Sequence, residues 1–410
     1  MKINKPELLA PAGSFEKLKA AIRYGADAVY VGGTDFGLRT ASKNFSDEQL
    51  REAVKYCHDR GKKIYVTVNI VARNEDIDKM PPYLSLLNEI RPDAIIVSDI
   101  GVMALAKQYA PDVDIHISTQ ANATNYLSVR QYYEMGATRV ILARELSLEE
   151  IKTIRKNTPP ELEIETFVHG AMCISYSGRC HLSNYMASRD GNHGACAQPC
   201  RWKYHIVEEQ RPGEYFEVEE DERGAFILNS KDLNMIAHIP ELIDAGIASL
   251  KIEGRVKTEY YVATVTNAYR QAIDAYCADP ENYVFDERFN EEVCKVSHRA
   301  YHTGFFFEHP KETGQVYESS SYIREYEVAA VVEEDAKAGD LVSCTQRNRF
   351  VKGDTLEILS PGKGWDSFKV EELLDGDGVP IEAAPHPTMK LKIRIPYDVL
   401  AGDMLRRPKK

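Results

Sequence analysis

Eight short apolar runs punctuate the first 254 residues, in order ELLAPAG, DAVYVGG, KIYVTVNI, AIIVSD, DIHISTQ, TRVILARE, EIETFVHG and SLKIEG. Each is bounded by polar or glycine positions and is short enough to predict a buried strand. Between the first two lies SFEKLKAAIRYG, where Phe15, Leu18 and Ile22 share a helical face, Ser14 can cap the start and Gly25 the end. After the second, SDEQLREAVKYCHDRG sets Leu50, Val54 and Cys57 on one stripe, and SLEE at 147–150 offers a capping box. Strand and helix therefore alternate, which predicts parallel β/α units.

Eight such units predict a (β/α)8 TIM-like barrel, whose interior takes branched apolar side chains and whose strand C-terminal ends carry active sites. An open doubly wound sheet is the alternative; no G-x-G-x-x-G follows the first strand, which weighs against its dinucleotide-binding version. The last unit is interrupted: about 80 residues separate EIETFVHG from SLKIEG, giving a Cys-rich insertion at about 171–230 on the site face. Helical patterns follow at 258–278 and 286–299, completing a catalytic domain over 1–320. Beyond it EYEVAAVVEE, DLVSCTQRNRF, DTLEILSP, DSFKVEEL and MKLKIRIP alternate like strands between the turn signals AGD, KGD and PGKG. Residues 321–410 thus predict a small all-β, antiparallel barrel-like domain. The terminal RRPKK reads as a solvated, frayed end, with an RNA-touching tail as the alternative.

With 43% apolar and 28% charged residues the chain is globular, and no apolar run approaches the roughly 20 residues that cross a bilayer. MKINKPELLAPAGS lacks the apolar stretch of a secretory signal, so a cytoplasmic protein without membrane association is expected. Reducing cytosol disfavours structural disulfides and turns a cysteine cluster toward metal binding or catalysis. A net charge of -12 excludes a protein that is basic all over, but not one with a local basic patch. From Phe167 to Tyr204 the charged residues are Arg179, Arg189, Arg201 and Lys203 against Asp190 alone, whereas 208–222 holds eight acidic residues and one arginine.

That positive segment contains four of the eight cysteines, Cys173, Cys180, Cys196 and Cys200, spaced C-x6-C-x15-C-x3-C. Four thiolates complete one cluster shell. Structural zinc favours paired C-x2-4-C knuckles, which only the second pair approaches, while a 4Fe-4S cluster accepts wider and irregular spacing. Such a cluster is anionic, and Arg179, Arg201 and the amides exposed by Gly178, Gly191 and Gly194 could stabilise it. The competing readings are zinc, four unrelated buried thiols, or one catalytic cysteine with bystanders. Cys57, Cys277, Cys294 and Cys344 fall in helices or a strand and read as core filler. His181 and His193 are substitute ligands that a complete cysteine set makes unnecessary; His169, at a strand end, reads equally as functional or structural.

Polar residues recur where barrel strands should end: Asn69, Ser98, Asp99, Gln120, Arg144, Glu145, Lys251, Glu253 and Arg255. Each alone could be a rim salt bridge, yet together they describe a charged mouth suited to a small anionic metabolite. Glu145, Glu253 and His169 are candidate acid–base groups, while Asn69, Gln120, Arg144, Lys251 and Arg255 are candidate substrate-binding residues.

ETFVHGAMCISYSGRCHLS, Glu165 to Ser183, resembles the signature of the collagenase-like peptidase family of unknown mechanism, number thirty-two of that type. ELLAPAGS, DAVYVGG, LKIEGR followed by Lys257 and Tyr260, and HRAYHTGFF at 298–306 are similar to further blocks of that family, and the likeness covers nearly the whole chain. Its tRNA-hydroxylating members are the nearest in pattern. That resemblance implies a barrel with an iron-sulfur centre on Cys173, Cys180, Cys196 and Cys200. It further implies 5-hydroxyuridine formation at the wobble position of tRNA, dependence on prephenate and on iron-sulfur assembly machinery, and action alone or beside a homologous partner subunit. The peptidase name implies hydrolysis instead, but no oriented serine or cysteine nucleophile, paired aspartates or H-E-x-x-H helix is evident beyond a nominal Cys173–His169 dyad. A noncatalytic RNA-binding scaffold with a structural metal is the third class.

Overall fold

The structure is a computed structural model that describes all residues except 1–3, 39–43, 174, 203–205, 208–214, 217–229, 310–313, 315–321, 364 and 410. Seven parallel strands run in chain order, β1 (Glu7–Pro11), β2 (Ala28–Gly32), β3 (Lys63–Val68), β4 (Ala94–Val97), β5 (Asp114–Ile117), β6 (Arg139–Ile141) and β7 (Glu163–Ala171). An eighth, Ser249–Ile252, pairs parallel with both β7 and β1 and closes the barrel. All eight predicted runs form these strands, and the open-sheet alternative is excluded by that closure. The helices begin where their caps predict: Ser14 accepts from the Lys17 N–H, and Ser46–Gln49 and Ser147–Glu150 form capping boxes.

β7 outruns the barrel. Its last residues pair antiparallel with Asp232–Asn234, so the cysteine segment leaves the sheet at Ala171 and returns beside it at Asp232. Within that excursion Ile206–Val207 pairs with Tyr215–Phe216, while Lys203, most of the acidic run and most of GAFILNS lie outside the described residues. The predicted helix at 258–278 is Glu259–Ala278. That at 286–299 is only Arg288–Cys294. The chain leaves the helix because buried Arg299 must meet its counter-charge, and it grips Asp232 through Nε at 2.9 Å and Nη2 at 2.6 Å.

The barrel interior departs from the apolar filling expected of it. Arg139 of β6 reaches Glu7 of β1 (2.6 Å) and Glu165 of β7 (2.9 Å), and Glu165 accepts from Lys251 of the closing strand at 2.8 Å. Side chains from non-adjacent strands can meet only across the interior, so a charged layer crosses the barrel below its mouth. His116, buried beside it and 4.7 Å from the Tyr65 ring, is held well below the usual imidazole range by burial and then by Arg139 and Lys251, and is neutral.

The terminal domain is a curled seven-stranded antiparallel sheet with its own apolar core around Val342, Phe350, Leu356 and Ile393. The reading of RRPKK as a frayed or RNA-touching end is corrected here. Met404–Pro408 is an inner strand between Tyr326–Val332 and Thr355–Leu359. Arg406 is fully buried against Glu292 of the barrel domain, and Arg407 pairs with Asp354 and Glu327. Tyr24 donates to the Leu359 carbonyl at 2.8 Å and packs with Ala20, Ala263 and Met404, so this domain braces the helices Phe15–Arg23 and Glu259–Ala278. Among the described residues no helix is long and apolar enough to cross a membrane.

Candidate functional site

At the C-terminal ends of the barrel strands opens a cavity of about 190 Å³. Its lining brings together Cys173, Cys180, Cys196 and Cys200 with Asn69, Gln120, Arg144, Glu145, Lys251, Glu253 and Arg255. Thus β3, β5, β6 and the closing strand, or the residues directly after them, each deliver a polar residue to one place, and the segment after β7 forms the facing wall. Tyr30, Ile96, Ile141 and Phe167 supply an apolar floor.

All four cysteines of this wall are free thiols. Leu182 donates its backbone N–H to Cys180 Sγ at 3.3 Å, Gln198 donates to Cys196 Sγ at 3.4 Å, and Cys173 Sγ lies 3.0 Å from the Ser175 hydroxyl. These contacts suit sulfurs that carry negative charge. Burial pushes the Cys200 thiol up and Arg201 draws it down, while Cys173, Cys196 and Cys180 each add to the rise, which marks the four as electrostatic neighbours. Among the described residues no group of three His, Cys, Asp or Glu side chains closes tightly enough to hold a single metal ion. By chemistry the donor set is a complete thiolate shell of the kind that iron-sulfur clusters use. Cys57 and Cys344 stand apart in the cores, where burial raises each thiol to about 12.

Glu145, a candidate acid–base group, holds the wall in place. Ser177 donates its backbone N–H (2.5 Å) and its hydroxyl (2.7 Å) to the two carboxylate oxygens. Arg144 donates to the Ala171 carbonyl at 2.9 Å, stacks over Phe167 and approaches Glu253 at 3.8 Å. From the other side Arg73 pairs with Asp190 at 3.0 Å, and His193 sits between Asp190 and Asp76. His193 is therefore a strut and not a thiol substitute; His181 is exposed. Lys251 is spoken for by Glu165, and Arg255 donates to the Thr67 hydroxyl at 2.8 Å, so both cations are fixed at the floor.

His169 does not join them. The register shifts between Lys251 and Ile252, and the imidazole lies outside the cavity among Tyr261, Tyr269 and Tyr301. Burial, outweighing Asp232, drives it down to about 3, which leaves a neutral ring packed among the tyrosines. Asp99 likewise caps the helix Ile100–Tyr109, and Ser98 bonds the Asn69 and Ile70 carbonyls. Sequence reasoning passed over Ser177 and Thr67. The SYSG turn was the available signal for the former: Ser177 and Gly178 both adopt positive φ (44° and 82°), where a β-carbon on Gly178 would stand 2.7 Å from the Gln120 amide nitrogen. Gly178→Ala is expected to cost the local fold about 1–2 kcal/mol through left-handed strain. Limited proteolysis should then cut between 172 and 202 several-fold faster than in the parent, and an unchanged rate would remove this account.

Residues 13–316 match the model of peptidase family U32, and residues 324–406 match the peptidase family U32 C-terminal domain. The chain is similar to tRNA hydroxylation protein P1 of Bacillus subtilis, at 42% identity over 99% of this chain and 96% of that one. It is also similar to a collagenase of Porphyromonas gingivalis, at 34% identity over 91% of each chain. A 23S rRNA 5-hydroxycytidine C2501 synthase of Escherichia coli is 37% identical over 66% of this chain and 40% of its own. Two domain matches covering nearly the full length place this chain in peptidase family U32.

Proposed function

We propose that this protein is a cytoplasmic tRNA-modifying enzyme that hydroxylates the wobble uridine to 5-hydroxyuridine, with a 4Fe-4S cluster on Cys173, Cys180, Cys196 and Cys200, in a prephenate-dependent pathway. The observation that carries the reading is the meeting of four free thiols with fixed cations in one cavity at the barrel mouth. Full-length likeness to a protein named for tRNA hydroxylation, and partial likeness to an rRNA 5-hydroxycytidine synthase, supports RNA hydroxylation as the reaction class. The C-x6-C-x15-C-x3-C spacing favours a cluster over zinc, which takes paired C-x2-4-C knuckles that only the second pair approaches.

The cluster, when bound, supplies one-electron redox chemistry. This chain's own residues do the rest. Lys251 and Arg255, fixed at the floor by Glu165 and Thr67, attract the carboxylates of a small anionic metabolite such as prephenate. Phe167, Tyr30, Ile96 and Ile141 exclude water and offer a flat apolar seat for a pyrimidine. Glu253, with Arg144 3.8 Å away, is the carboxylate placed to hold or move a proton. Peptide hydrolysis gains no such support, since Cys173 bonds Ser175 and His169 lies outside the cavity.

Nucleoside mass spectrometry of tRNA tests the reading. A deletion strain is expected to lack 5-hydroxyuridine and its derivatives, and the wild-type gene to restore them. Equal amounts in both strains would end the proposal.

A further inference from the structure

Large apolar side chains that reach solvent crowd one end of the barrel domain. Val71 follows β3, Ile100 follows β4, Leu127 follows β5, and Tyr176, Tyr185 and Trp202 belong to the cysteine wall after β7. All follow the C-terminal ends of barrel strands, on loops or on the short helices and first helical turns at the mouth end. In the wall the exposed residues are aromatic, with Tyr185 89%, Tyr176 52% and Trp202 41% exposed. The helix Leu182–Ala187, which carries Tyr185, packs on the turn Pro199–Arg201, immediately before Trp202, so the two rings stand on neighbouring elements. Leu182 and Pro199 of those same elements line the cavity.

Arginines interleave with the rings. Arg179 and Arg189 are exposed, and the one acidic residue of the wall, Asp190, is already engaged by Arg73 and His193. A flat hydrophobic side chain left in water beside an uncompensated guanidinium is poorly suited to folding and well suited to unpaired bases, which stack on the ring while the phosphates meet the cation. Protein interfaces use the same residue types, so the choice of RNA rests on the unpaired positive charge of the wall and on its continuity with the cavity, whose lining includes Leu182 and Pro199 of these two elements.

We propose that the cysteine wall, centred on Tyr185 and Trp202, is a stacking platform for the unpaired bases of a single-stranded RNA loop, from which one base passes into the adjoining cavity. This rests on the tRNA reading above and adds the surface that grips the loop. The platform recognises an unpaired, flexible strand, so a continuous duplex of the same length lacks the required base faces.

The test uses the purified full-length holoprotein and fluorescence anisotropy with two labelled RNAs, a tRNA anticodon stem-loop and a blunt duplex of equal length. Tyr185→Ala and Trp202→Ala are each expected to weaken stem-loop binding by about tenfold or more and to leave duplex binding unchanged, while Tyr185→Phe keeps wild-type affinity. Arg189→Gln should lower the salt dependence by about one phosphate contact. If Tyr185→Ala and Trp202→Ala bind the stem-loop like wild type, while wild type restores 5-hydroxyuridine in cells, the platform is wrong and the function stands. If these variants turn an oligomer into a monomer without changing RNA affinity, the face is a protein interface and the platform is again overturned. A wild-type protein that neither binds tRNA nor restores the nucleoside removes both.

Discussion

Anaerobically purified Cys196→Ala protein is expected to be colourless and to lack iron and sulfide, and the same gene should fail to restore 5-hydroxyuridine to a deletion strain. Cys196 Sγ accepts the Gln198 N–H at 3.4 Å, and the residue lines the cavity with the other three cysteines. Cys196 itself is exposed and contributes nothing to the barrel core, so any loss of thermal stability should be limited to what the missing cluster gave the fold. The control is Cys57→Ala. That thiol is fully buried in the helix Asp47–His58, so its loss should lower stability by about 1 kcal/mol while iron, sulfide and colour remain. Wild-type iron content in Cys196→Ala protein would show that this residue is not a ligand. Colour lost in both variants would point to general unfolding instead.

The strands of the barrel were legible because a parallel strand covered on both faces is a short continuous apolar run, as in AIIV and AVYV. Helix starts were legible for a local reason, since Ser147 and Glu150 satisfy each other's neighbours within one turn. Most of the polar strand-end residues meet in one cavity because closure of the barrel brings those ends to one mouth, whereas Ser98 and Asp99 turn to local backbone partners. What escaped was set by partners distant in sequence. Met404–Pro408 reads as a solvated basic tail until Glu292, 114 residues away, meets Arg406. Glu145 looked like a free carboxylate, and only the return of Ser177 over the mouth shows that both its oxygens are occupied. His169 stood one register shift from the cavity, a displacement that no periodicity records.

A second large effect concerns the charged layer beneath the site. Arg139→Met should destabilise the protein by about 3–5 kcal/mol in urea unfolding at neutral pH, because Glu165 and Glu7 would both lose the guanidinium that they share. Burial alone would raise the Glu165 carboxyl, but Lys251 and Arg139 outweigh it and hold it below the ordinary value. In the wild type that group therefore contributes stability above the carboxylate range of roughly 4, and the contribution fades as pH falls through the lower folded value. In Arg139→Met Glu165 keeps Lys251 but loses the guanidinium, so its carboxyl rises from the wild-type position. The gap between variant and wild type should narrow as pH falls from the variant's higher folded value to the wild type's lower one. Arg139→Met with Glu165→Gln should cost less than the sum of the two single variants, since the two side chains touch at 2.9 Å and their effects cannot be additive. Glu165→Gln also strips buried Lys251 of its carboxylate, so the double variant should bind the proposed anionic metabolite more weakly than wild type. A loss below about 1 kcal/mol in Arg139→Met, or one that is independent of pH, would mean that the layer is hydrated and carries little of the barrel's stability.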